Sequence, residues 1–208
     1  MSACFNESER RLLTDAAVQS APGQVFPDAL QSAQYNCSFG LQQEPVMDDF
    51  TREWYSEHLA AASENALSEY VREAQIDKQE QIRFIWLRSF DNPVIVRFDR
   101  DGDSGWSFVA KRLSGNGGYS PGEIAEELER TLTEAEAVEL ERLVHDRRLM
   151  RMRAGECITG GDGAMWIAER LDNYGYDYVE RWSPTDGKMR DFGEFVIELT
   201  GWQIGEIY

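Results

Sequence analysis

The sequence predicts an α+β fold: an antiparallel sheet of about five strands, with helices packed on one face and a helical segment ahead of it. Three observations carry this. Short runs of period-2 hydrophobicity cluster in the middle and near the end of the chain, while period-3.6 runs lie before, between and after them. The strand runs are joined by short Asp/Gly/Asn-rich links, as hairpins require. Six Trp, eight Tyr and ten Phe in 208 residues supply a core large enough for one domain, so disorder is excluded.

The elements follow in order. "NESERRLLTDAAVQ" (6–19) reads as a helix with Asn6 as cap and Glu9 three residues on. Residues 20–46 hold Pro22, Gly23, Pro27, Gly40 and Pro45 and read as a loop-rich connector, with one helical turn near "DALQSA". We therefore divide the chain into an N-terminal extension, 1–45, and a single α+β domain, 46–208. Phe50, Trp54, Leu59 and Ala62 place a helix over 49–62, and Ser63 caps a second over 64–74.

The period then changes. "QIRFIWLRSF" (81–90) sets Ile82, Phe84 and Trp86 against Ile85 and Leu87, a strand buried on both sides, so Trp86 belongs in the core. "PVIVRFD" (93–99) and "WSFVAKRL" (106–113) alternate in the same way and complete a meander. Residues 123–131 have no assignable period. Thr133 and Glu136 form a capping box for a helix through His145. "AMWIAERL" (164–171) and "YDYVERWS" (176–182) read as a hairpin, and "MRDFGEFVIELTG" (189–201) as a helix with Phe192, Phe195, Val196 and Leu199 inward.

Between the second and third strands lies "FDRDGDSGWSF", which has the look of a calcium loop. Asp99, Asp101 and Asp103 fill ligand positions one, three and five. Position six is Ser104 instead of Gly, and position twelve is Ala110 instead of Glu. The flanks are strands, so the stretch reads as a turn and no metal site is assigned.

Other chemistry is scarce. "GECITGGD" has phosphate-loop spacing, but Asp162 stands where a lysine should follow and would repel phosphate. "GNGGYSPG" precedes no βαβ unit, so it is either a flexible surface loop or a recognition loop presenting Tyr119. Cys157 would need His58 or His145 beside it to act as a nucleophile. "ERWSP" ends a strand with Arg181 and Trp182, residue types that favour binding hot spots. Tyr119, Arg181 and Trp182 are thus the candidate binding residues, and no catalytic residue or cofactor is assigned.

The net charge of −17 repels nucleic acid and suits a basic protein partner. No apolar run reaches membrane-spanning length. Cys4, Cys37 and Cys157 exclude a dense disulfide framework and leave a single Cys37–Cys157 bridge open. Met1-Ser2-Ala3-Cys4 matches the end of a bacterial lipoprotein cleavage box without the apolar stretch before it. The expectation is a cytoplasmic protein, with a periplasmic lipoprotein trimmed at Cys4 as the alternative.

"WLRSFDNPVIVR" (86–97), "GGYSPG" (117–122), "GDGAMWIAERL" (161–171) and "YDYVERWSPTDG" (176–187) together resemble a group of uncharacterised bacterial proteins. These share a Trp-Leu-Arg strand, a Pro-Val strand, a Gly-Gly-Tyr loop, an Asp-Gly-x-x-Trp strand and an Arg-Trp-Ser-Pro end. The likeness spans about residues 80–200, and the helix read in "AEELERTLTEAEAVELERLVHDRRL" (125–149) is more charged than in the group. No activity comes with the resemblance. The leading expectation is a non-enzymatic bacterial binding protein of the immunity or inhibitor kind. The alternatives are a carboxylate hydrolase with a cleft near loops 114–122 and 155–163, and a structural envelope lipoprotein.

Overall fold

The structure is a computed structural model describing residues 24–37, 42–67, 79–101, 105–157, 160–173 and 175–208. The helices are α1 (Ala29–Ser32), α2 (Asp49–Ala61), α3 (Glu134–Glu141) and α4 (Gly187–Thr200). The strands are β1 (Gln34–Cys37), β2 (Gln42–Pro45), β3 (Gln79–Arg88), β4 (Val94–Asp101), β5 (Trp106–Leu113), β6 (Ile124–Thr131), β7 (Ala164–Asp172) and β8 (Gly175–Trp182). β1 and β2 form a small hairpin. The other six make one antiparallel sheet in the order β6-β5-β4-β3-β7-β8.

The α+β class stands as predicted, with six strands in the main sheet. The extra one is β6, at the unassigned segment. Its glutamates, leucine and arginine favour helix locally, but Leu128 packs on the core and the backbone pairs with β5. Exposed Glu127 and Glu129 then guard this edge against further pairing.

The sequence suggested cover on one face, and the structure has it on both. β3 is the reason. Ile82, Phe84 and Trp86 point to one core and Ile85 and Leu87 to another, so each face needs a lid. α3, α4 and the segment through Tyr208 cover the first. Gly193 of α4 lies so near the sheet that a Cβ there would come within 2.0 Å of the Trp166 ring. α2 and residues 24–33 cover the second, where Phe26, Leu30, Tyr55 and Leu59 are fully buried.

Local signals end the helices as read. The Thr133–Glu136 capping box is present, and α4 closes at Gly201 with φ +65°. Asp48 caps α2 by accepting from Thr51 N at 2.7 Å. A helical turn falls on "DALQSA", as expected. Ser63 does not cap a second helix. It sits at φ +55°, and Glu64 turns inward to Lys111 at 2.8 Å and Arg97 at 3.1 Å. The expected helix over 6–19, and the rest of 64–74 beyond Leu67, fall outside the described residues.

β4 and β5 form the predicted hairpin, with Arg100 opposite Trp106. The Asp99 carboxylate accepts from Arg97 Nε at 2.9 Å and Gln81 Nε2 at 2.6 Å. The side chains of Asp101 and Asp103 fall outside the described residues. No described helix is long and apolar enough to cross a membrane.

Candidate functional site

A cleft of about 590 Å³ opens on the α2 face. Its floor is β8. The period-2 alternation of "YDYVERW" turns Tyr178, Glu180 and Trp182 toward this face and Val179 toward the other core. One wall is α2, with Asp48, Phe50, Trp54, Tyr55 and Glu57. Loop 114–122 brings Tyr119 to the mouth, and the segment after β6 and α3 brings Glu156, Gly160 and Gly161. The β1–β2 hairpin adds Tyr35 and Glu44.

The glycine-rich loop 114–122 is fixed in place. Trp54 Nε1 donates to Gly117 O at 2.7 Å. The ring nitrogens of His58 face Trp54 O at 2.9 Å and Asn116 O at 3.4 Å. A Cβ on Gly117 would meet the Arg88 backbone at 2.4 Å, so only glycine permits this approach. The loop is thus docked on α2 and β3. It holds Tyr119 66% exposed, with its ring 6.0 Å from that of Phe90.

The opposite wall is pinned as firmly. Glu156 accepts from Trp182 N at 2.7 Å and pairs with Arg181 Nε at 3.6 Å. Arg181 also donates to Arg153 O at 2.9 Å and to Glu180 O. Burial lowers its pKa from the usual arginine value. Tyr35 donates its hydroxyl to Glu156 O at 3.3 Å. Cys157 is disulfide-bonded, so it offers no free thiolate, and the Cys–His alternative falls. The Cys37 side chain falls outside the described residues.

Glu180 is the unusual group. Both Tyr178 (2.6 Å) and Tyr55 (3.2 Å) donate to the same oxygen, Oε2. No donor among the described residues reaches Oε1. Burial pushes this carboxyl up to about 7, against the two tyrosine hydrogen bonds. The same burial, with the negative charge of Glu180 beside them, holds the Tyr55 and Tyr178 hydroxyls well above their ordinary value.

Tyr119, Arg181 and Trp182, singled out from two separate stretches, all line this one cleft. Their roles differ. Tyr119 and Trp182 present aromatic surface, whereas Arg181 spends its guanidinium on the wall. Glu180, Glu156, Trp54 and Tyr55 were missed. The available signal was Glu180 itself, a carboxylate at an inward strand position between Tyr178 and Trp182. Among the described residues no group of three or more His, Cys, Asp or Glu is arranged to hold a metal ion. No protein-family profile matches this chain, and no curated protein matches it at a significant level.

Proposed function

We propose that this is a non-enzymatic binding protein whose cleft receives a basic segment of a protein partner, in the manner of an immunity or inhibitor protein. One observation carries the reading. Among the described residues, Glu44, Asp48, Glu53, Glu57, Glu156 and Glu180 line the cleft with a single cation, Arg181, and that cation is already paired with Glu156. Phe50 and Tyr119, 74% and 66% exposed, add apolar contact area at the mouth. The net charge of −17 extends the same field over the whole molecule. The likeness to the bacterial group with the Gly-Gly-Tyr and Arg-Trp-Ser-Pro motifs agrees with a bacterial setting. The disulfide at Cys157 favours the exported alternative, since such bonds persist in oxidising compartments.

The test is affinity capture from the native organism, followed by surface-plasmon kinetics on the purified partner. The partner should be basic, and its on-rate should fall steeply as salt rises. Charge reversal by Glu53→Lys with Glu57→Lys should slow association further. An acidic partner, or an on-rate indifferent to both salt and charge reversal, would overturn the reading.

The Glu180 carboxyl also supports a second reading, a carboxylate hydrolase. A group titrating near neutrality at the floor of a cleft suits general acid–base work. Turnover of a panel of aryl glycosides, abolished in Glu180→Gln, would favour it. No turnover by the native protein would remove it.

A further inference from the structure

Resting on the cleft reading above, we infer that Glu180 is the anchor for an arginine of the partner, receiving its guanidinium at the open oxygen Oε1 between the aromatic walls. Oε2 is already taken by two tyrosine hydroxyls, and these hold the carboxyl in one orientation. Oε1 has no protein donor among the described residues, although Glu180 lines the cavity. A carboxylate oxygen left open in a partly buried site is costly without a cation or a proton.

The cleft favours arginine over lysine. Trp54, Tyr119 and Trp182 offer flat π-faces on which a planar guanidinium stacks. An ammonium is more strongly hydrated and loses more on entering such a site.

The charges facing Glu180 come from every element packed around it. Tyr55 and Asp48 belong to α2 and its cap, Tyr35 to β1, Tyr178 and Arg181 to β8, and Glu156 to the segment before β7. Arg181 is the one cation among the described residues, and Glu156 and the carbonyls of Arg153 and Glu180 already engage it. In the free protein the carboxyl therefore keeps its proton up to about neutrality. An arriving guanidinium replaces that proton, which passes to solvent, and the two tyrosines then serve the carboxylate. Binding and ionisation of Glu180 are one linked event.

The experiment titrates the full chain with N-acetyl-arginine amide. Nuclear magnetic resonance follows the Trp54 and Trp182 indole N–H signals and the Glu180 carboxyl carbon. N-acetyl-citrulline amide serves as the neutral isostere. The arginine compound should shift the Trp182 indole and lower the midpoint of Glu180 titration. Its affinity should be about ten-fold higher near pH 8 than near pH 6. The citrulline compound should bind more weakly and without pH dependence. Glu180→Gln should bind the arginine compound about ten-fold more weakly at pH 8, yet melt at a higher temperature there, which shows that it is folded. Equal binding of citrulline, an unmoved Glu180 carboxyl, or full affinity in Glu180→Gln would overturn the inference. A basic partner that is sensitive to Glu53→Lys with Glu57→Lys but indifferent to Glu180→Gln would sink the anchor and leave the cleft reading standing.

Discussion

The two faces of the sheet are built on opposite terms. Toward α4 the core is dry. Phe84 packs edge-on to Trp166 and Phe192, and the indoles of Trp86 and Trp166 both donate to the Tyr208 carbonyl, at 3.3 and 2.9 Å. Arginines on this side lie over rings, as Arg190 does over Trp166 and the buried Arg88 over Trp86. Toward α2 the protein buries charge. Arg83 and Glu169 are fully buried and 2.7 Å apart, and Tyr176 donates to the other Glu169 oxygen at 2.6 Å. Glu64 bridges Lys111 and Arg97 beside them. Glu180 stands a few positions along the same face, and among the described residues only its Oε2 has donors. One face is organised for stability, and the other holds desolvated charge next to an open cleft. Buried polar atoms without a hydrogen bond occur on both faces, on Glu80, Arg88 and Arg100 toward α3 and α4 and on Gln81 and Arg83 toward α2, but Glu180 opens onto the cleft, where a ligand could complete it.

Five substitutions test this contrast. On the dry face, Trp86→Ala should cost about 3–5 kcal/mol by denaturant unfolding, because the cavity among close-packed rings cannot collapse. A denaturation midpoint that stays put would mean that this face is loosely packed. On the charged face, Arg83→Met alone should cost a comparable amount, about 3–5 kcal/mol, by stranding Glu169. Adding Glu169→Leu should return much of the loss. A double variant as unstable as the single one would show that the pair itself, and not the orphaned charge, supplies the stability.

The next effect is smaller and of opposite sign. Glu180 is raised to about 7 in the fold, above its ordinary value of 4.5. Between these values the folded state holds a proton that the unfolded state has lost, so stability falls as pH rises through that window and levels off above it. Glu180→Gln should therefore stabilise the protein above pH 7, by on the order of 1 kcal/mol after discounting for partial exposure, and should change little below the ordinary carboxylate range. Melting curves across pH would settle it, and a variant less stable at high pH contradicts the account. Glu136 supplies the counter-case. Bidentate bonds from Arg130, at 2.8 and 2.9 Å, and the capping bonds of Thr133 lower it to about 2. Its contribution is present above 4.5 and is lost as pH falls toward 2. Glu136→Gln should cost about 0.5–1 kcal/mol at neutral pH and flatten the acid limb of the stability curve. An unchanged acid limb would remove the capping box from the account.

Much of the architecture was legible in the residues. Period-2 runs marked five of the six strands of the main sheet, and the two-sided apolarity of 82–87 identified its centre, where Trp86 is fully buried. These are local signals, because side-chain direction along a strand or helix follows from backbone geometry alone. β6 escaped because its residues favour helix until β5 offers a pairing edge. The β1–β2 hairpin escaped because its four-residue strands lie among loop-forming residues. Of the candidate site, Tyr119, Arg181 and Trp182 were found by residue type, without any indication that they face one another.

What the sequence determined by itself was the class of fold, the Thr133–Glu136 capping box, the two-sided burial of the central strand and the overall acidity. Tertiary structure alone decided the cleft. Tyr55 reaches Glu180 across 125 positions of sequence, and Tyr35 reaches Glu156 across 121. No local pattern encodes such meetings, because they depend on which strand lies beside which and on how α2 crosses the sheet. Nor does any residue type set the proton affinity of Glu180. That follows from the water excluded around it, and the exclusion exists only once β8, α2 and the two flanking loops have closed together.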